Sequence, residues 1–74
     1  MADFLKAVEW MKKGKKVRRK IWADKIMYWY LADPKDMHTD IKGYQGAHRE
    51  DKEVDYFTPD LFQGKDWMIY KEKK

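Results

Sequence analysis

Residues 26–32, Ile-Met-Tyr-Trp-Tyr-Leu-Ala, run for seven positions without a charge in a chain that is 41% charged. So apolar and aromatic a stretch, bounded by Asp24 and Lys25 on one side and Asp33-Pro34 on the other, reads as a β-strand. Alternation puts Met27, Trp29 and Leu31 on one face and Ile26, Tyr28 and Tyr30 on the other. The first face is wholly apolar, while the tyrosine hydroxyls of the second need partners or water. Both faces are expected to be covered, which requires a sheet with a layer packed upon it.

The supply of covering residues is small. The chain has 74 residues, no cysteine and no credible zinc set, close to the lower limit for a domain with one core. Chains this short gain stability by oligomerisation, and the twelve aromatics, four of them Trp, can be shared across a subunit boundary. We therefore expect one domain over residues 1–74 and a homo-oligomer, a dimer or tetramer. The absence of cysteine fits a reducing compartment. No signal peptide and no stretch of membrane-spanning length is legible, so a cytoplasmic protein is expected.

In chain order, Asp3 is an N-cap and Phe4, Ala7, Val8 and Met11 follow at the spacing of one helical face, with Trp10 off that stripe. Gly14 ends the helix after two lysines suited to its negative end. Residues 15–22 read as a strand with Val17, Arg19 and Ile21 on one side and Lys16, Arg18, Lys20 and Trp22 on the other. Residues 23–25 form a tight connection to the aromatic strand. A turn at residues 33–36 leads to a short edge strand over residues 37–42 and a mobile polar loop over residues 43–53. Residues 54–57 return to a strand pattern. Thr58 caps a short helix with Pro59 at its first position, Gly64 stops it, and residues 67–70 form a last strand before a frayed basic tail. The fold class is α+β: a small antiparallel sheet with one N-terminal helix packed on it and a short helical turn before the last strand.

Chemistry for catalysis is scarce. The chain contains no Ser, Cys or Asn, so the hydroxyl nucleophiles reduce to Thr39 and Thr58, neither beside an evident base. Asp36-x-His38-x-Asp40 is a chance pattern for a polar turn, and no metal is expected. Asp60 and Asp66 read as a cap and a salt-bridge partner before an acid–base pair. Gly43-x-x-Gly46 is too short for a phosphate loop. The chain is read as a non-enzyme without a cofactor.

The binding inventory is richer. Residues 1–25 carry nine Lys or Arg against three acids, and residues 33–66 carry five against nine. Such a split suits an anionic ligand, or the basic end of one subunit facing the acidic end of another. Seven cations lie within residues 12–20. Trp22, Tyr28 and Trp67 offer planes on which a base could stack, at roughly 1–3 kcal/mol each. Phosphate-binding cations beside such rings describe a nucleotide ligand or a single strand, and the acidic second half would repel a continuing strand.

With those residues set out, the chain resembles the small phage-encoded family of Thoeris anti-defence proteins of the second type. Residues 4–22 are similar to that family's helix, glycine, basic strand and tryptophan; residues 26–31 resemble its aromatic second strand. Asp60-Leu61-Phe62 and residues 65–69 resemble its closing Asp-Trp segment. The chain departs from the family in residues 37–52, which lack a longer polar insert. The resemblance implies an oligomeric sponge that binds a cyclic ADP-ribose-type immune signal between subunits without cleaving it. It implies Trp22 and Trp67 as stacking planes, Arg19 or Arg18 at the pyrophosphate, Asp66 and Asp60 near the ribose or as caps, and Phe4 closing the pocket. Tyr28 joins them as a further ring.

Each assignment has a structural alternative. Trp67 suits a core, Asp66 a turn cap, and Arg18 and Arg19 surface pairs with Glu50, Asp51 or Glu53. Trp22 suits a core lid as well as a ligand platform. Two other functions stay open: an anti-CRISPR-like inhibitor binding a bacterial defence protein or nucleic acid through residues 12–20, and a structural module whose aromatics only join subunits.

Overall fold

The structure is a computed structural model and describes residues 2–22, 26–46, 50–54 and 57–71. Helix α1, Phe4–Lys12, begins where Asp3 accepts a hydrogen bond from the Lys6 amide at 2.9 Å, satisfying one of the orphan donors of the first turn. The expected stripe faces inward: Ala7 and Met11 are buried, and Phe4 and Val8 pack beside them. The helix stops in a Schellman motif. Gly14, at φ 84°, donates to the Met11 carbonyl and Lys15 to that of Trp10, a turn that a side chain at position 14 would strain.

Five antiparallel strands follow, in the spatial order β4-β3-β2-β1-β5. They are β1 Val17–Arg19, β2 Tyr28–Leu31, β3 Ile41–Gln45, β4 Glu50–Glu53 and, after helix α2 (Pro59–Gln63), β5 Trp67–Ile69. Val17 lies opposite both Trp29 and Ile69, so β1 is enclosed. The outer edge of β5 is occupied in part by Ala2, which exchanges two hydrogen bonds of 2.9 Å with Trp67. The class read from the sequence, α+β with helices at an N-terminal and a pre-β5 position, is the one observed.

Both helices lie on one face of the sheet. There Ala7, Met11, Val17, Trp29, Leu61 and Trp67 make the core, with the Trp67 indole N–H donating to the Leu61 carbonyl at 3.0 Å. The indole of Trp29 lies over β3 at Gly43, where an added Cβ would come within 3.1 Å of the ring and 3.2 Å of Val54. A glycine at that point lets a large ring serve as the roof of a small core.

Several expectations are corrected. The strand expected over residues 15–22 ends at Arg19, because Lys20 and Ile21 enter a turn closed by the Trp22 amide on the Arg19 carbonyl at 3.2 Å. Ile21 is thereby 66% exposed rather than inward. Trp22 swings onto the core side instead of the cationic side, its ring 5.6 Å from those of both Trp29 and Trp67. Among the described residues the aromatic strand is covered by helices on its Trp29 face alone; its tyrosine face is half-buried. The expected edge strand over residues 37–42 is replaced by turns to residue 39 and then β3, which is interior because β4 pairs beyond it.

What read as a polar loop over residues 43–53 contains most of β3 and all of β4. Its cross-strand pair of Lys42 with Glu53, beside Tyr44 with Asp51, suits an outer strand that is polar by composition. Val54 is outside the strands although its amide bonds the Ile41 carbonyl at 2.8 Å, and Phe57 is likewise outside them. The rest of that expected strand, residues 55–56, lies outside the described residues, as do the connection at 23–25 and the tail from 72. Thr58 stands at the N-cap position of α2, but its hydroxyl donates to the Asp60 carboxylate rather than capping a backbone amide.

Candidate functional site

Arg19 organises one end of the core face. Alternation on β1 turns it inward beside Val17, and it is only 5% exposed. A buried guanidinium requires acceptors, and two carboxylates provide them. Nε donates to Asp66 Oδ1 and Nη1 to Asp60 Oδ2, both at 2.8 Å. Asp66 also accepts from the Ile21 amide at 3.1 Å through its second oxygen, while its own carbonyl takes the Lys20 amide at 3.1 Å. One aspartate therefore ties the end of β1 to the start of β5.

The electrostatics follow. Burial pushes the Asp66 carboxyl up, but the Arg19 hydrogen bond, the Ile21 amide and the Arg19 charge together outweigh it and hold the group below the usual carboxylate range. Asp60 is also held low, first by the Thr58 hydroxyl and then by Arg19. Gly64, where α2 ends, makes room for the guanidinium: a Cβ there would lie against Arg19 Nη2 and 2.8 Å from the Asp60 carbonyl oxygen. Its φ of −64° is an ordinary one, so the requirement is space and not backbone freedom.

The fold brings six of the eight expected site residues together. Trp67 stands between Trp22 at 5.6 Å and Phe4 at 5.3 Å, next to the Arg19, Asp60 and Asp66 cluster. Two of them are not presented to a ligand. Trp67 has no exposed surface, so no ring can stack on it, and Arg19 is committed to two carboxylates rather than to a pyrophosphate. Asp60 and Asp66 hold Arg19. Phe4 and Trp22 are partly exposed.

Arg18 and Tyr28 are placed on the opposite face of the sheet. Arg18 turns its guanidinium along the backbone, Nε donating to the Arg19 carbonyl at 3.1 Å and Nη2 to that of Trp22 at 3.0 Å. A cation and the Trp22 backbone are thus adjacent where β1 ends, with exposed Lys20 between them in sequence. Tyr28 belongs to a cluster of rings: Tyr44 stacks on it at 5.1 Å, Tyr70 stands at 4.7 Å, Tyr30 at 6.0 Å, and Lys16 Nζ lies 4.7 Å over its face.

Tyr30, Tyr44, Tyr70 and Lys16 were not foreseen as a group. The alternation Tyr28-Trp29-Tyr30 points to one of them, Tyr30, but Tyr44 is hidden in a segment that reads as a loop.

Other features carry less. A hollow lined by Met27, Trp29, Gly43, Gln45, Lys52 and Val54 has a volume of about 140 Å³, below the roughly 300 Å³ at which pockets for drug-sized ligands begin. Asp36 and His38 lie in the turns before β3, where Asp36 caps the His38 amide at 2.9 Å, and Asp40 directly precedes β3. Among the described residues no group of three acidic or imidazole side chains is placed to hold a metal, and no helix is long and apolar enough to cross a membrane.

Comparison with curated proteins and with solved structures gave no match. Comparison with protein families did: the Thoeris anti-defense 2-like domain matches residues 2–70, a span that includes α1, the whole sheet and the Arg19 cluster. The chain therefore belongs to the Thoeris anti-defense 2-like family, a family of anti-defence domains, and an anti-defence role comes with that membership.

Proposed function

We propose that the protein counters Thoeris-type defence by binding a cyclic ADP-ribose-like or cyclic nucleotide immune signal as a homo-oligomer and holding it without cleaving it. The observation that carries this reading is the family match over residues 2–70. The geometry supports a site where β1 ends. Trp22 offers a partly exposed ring backed by Trp29 and Trp67, while Arg18, bonded to the Trp22 carbonyl from the opposite face, and exposed Lys20 put positive charge at the same end of β1 for phosphate oxygens. Phe4 and Tyr28 border this end of the molecule from the two faces. Arg19, Asp60 and Asp66 act from behind, fixing the turn that carries Trp22 onto the core side, where Trp67 backs its ring and part of it stays exposed.

Sequestration rather than turnover is favoured by the side chains available. Thr39 accepts from the Asp33 amide at 2.7 Å, and the Thr58 hydroxyl donates to an Asp60 carboxylate that is paired with Arg19 and held below the usual carboxylate range, which makes it a weak base. The alternative of an inhibitor binding a defence protein or nucleic acid through residues 12–20 predicts an affinity that falls steeply with salt.

Isothermal titration of the protein with cyclic ADP-ribose isomers and cyclic oligonucleotides tests the proposal. Binding of one ligand class is expected, with the ligand recovered intact after denaturation and binding reduced at least tenfold in Trp22→Ala. Absence of heat across the panel, from folded protein, overturns it; so does recovery of a hydrolysed product.

A further inference from the structure

Among the described residues, no helix covers the tyrosine face of the sheet, since α1 and α2 both pack on the other side. Register places its side chains in two rows that run across the strands. One row reads Asp51, Tyr44, Tyr28, Arg18, Met68; the next reads Glu53, Lys42, Tyr30, Lys16, Tyr70. Each row begins with a carboxylate on β4, passes through tyrosine, and reaches a cation on β1. At the far edge Met68 is 36% exposed, a large apolar side chain beside partly exposed rings.

That pattern is complementary to itself under one operation. A two-fold axis parallel to the strands, lying above the boundary between β2 and β3, carries β4 onto β1 and β3 onto β2. Because it leaves the level along the strands unchanged, each row meets its own copy reversed. Asp51 then faces Arg18 of the second copy, Glu53 faces Lys16, Tyr44 faces Tyr28, and Lys42 faces the ring of Tyr30. A two-fold axis across the strands would instead lay β4 upon β4 and set acid against acid. Opposite charges at both margins with rings at the centre match an isologous interface, in which one patch pairs with itself. The spacing of about 10 Å between face-packed sheets leaves room for interdigitated tyrosines.

We infer that this face is the contact by which two copies of the chain pair, sheet on sheet, about an axis parallel to the strands. The inference rests on the oligomeric part of the proposed function and supplies its surface and symmetry. Arg18 then lies at the rim of the contact, next to the Trp22 carbonyl, so the end of β1 borders the second copy.

Charge exchange gives a decisive test. Lys16→Glu sets two acid pairs at the contact and Glu53→Lys two cation pairs, so each variant alone is expected to be reduced to monomer by sedimentation analysis. Mixed in equal amounts they restore both pairs, one native and one reversed, and a dimer of one copy of each is expected. Native protein that is monomeric at 100 times the concentration used in titration overturns the inference, as does either variant keeping its full mass or the mixture staying monomeric. Should either charge variant fail to fold by circular dichroism, Tyr44→Lys, at the centre of the face, replaces it, and retained dimer then overturns the inference. Ligand titration separates the two readings: a dimer without ligand heat defeats sequestration and leaves this face standing, whereas ligand binding by strictly monomeric protein defeats the face and leaves sequestration.

Discussion

The two faces of the sheet solve the same problem, a cation next to aromatic rings, in opposite ways. On the helix face Arg19 is buried, held by two carboxylates and given its space by Gly64. On the tyrosine face Lys16 and Arg18 lie over a ring and along carbonyls, with no helix above them among the described residues. The difference is one position in β1. Val17 and Arg19 point inward and Arg18 outward, so neighbouring guanidiniums in the sequence meet unlike dielectric surroundings and do unlike work. The inner one ties β1 to β5 and α2; the outer ones hold to backbone carbonyls and a tyrosine ring.

Arg19→Ala against Arg18→Ala puts that contrast to its strongest test. Removing the buried guanidinium leaves the Asp66 carboxylate, itself only 17% exposed, without its partner, and a loss of about 3 kcal/mol is expected. For a domain of this size that is a large share of the total, so much of the protein is expected to be unfolded at 37 °C. Arg18→Ala is expected to cost less than about 1 kcal/mol. Urea unfolding followed by Trp fluorescence measures both, and equal losses would erase the distinction between the faces.

Gly64→Ala sharpens the same point without removing a charge. The methyl group would press on Arg19 and the Asp60 carbonyl, so a loss of about 2 kcal/mol is expected from overpacking, with the urea m-value unchanged. A substitution neutral in the unfolding midpoint would mean that the latch has slack.

The smallest effect is in pH, and each limb reports on one face. Asp66 and Asp60 have depressed values in the folded protein, so the stability they contribute is present above the unfolded carboxylate value of about 3.9 and is lost as pH falls through the folded values. Tyr30 has a raised value, from burial first and then from the charge and hydrogen bond of Asp51. Its contribution is complete below the unfolded phenol value of about 10 and is lost as pH rises through the folded one. Asp66→Asn should flatten the acid limb of a plot of unfolding midpoint against pH, and Tyr30→Phe the alkaline limb. A crossed result would show that the faces are coupled.

Much of the fold was legible because its signals are local. Asp3, the spacing from Phe4 to Met11 and Gly14 define α1 by capping, periodicity and a left-handed stop, each readable within one turn. The aromatic run marked β2. What misled were segments whose character depends on partners. Residues 43–53 look like a loop because Gly43 is there to accommodate Trp29 from another strand, and because β4 is polar as an outer strand. The candidate site divided likewise. Grouping of Trp22, Trp67, Arg19, Asp66, Asp60 and Phe4 was anticipated, but their exposure was not, since the sequence does not state which arginine meets which aspartate. Trp22 changed sides through a turn at Lys20 and Ile21 that Asp66, 45 residues away from Ile21, helps to close.

By itself the sequence determined the composition of the two layers: an amphipathic helix, a strand of tyrosine alternating with apolar residues, and a basic ribbon ahead of an acidic second half. Those follow from periodicity and charge, which are properties of neighbours in the chain. Only the tertiary structure decided that Asp60 and Asp66 close on Arg19 while Lys16 and Arg18 stay with the tyrosines. That choice depends on strand order and register, which bring together residues far apart in the chain and bury one cation while leaving the next at the surface.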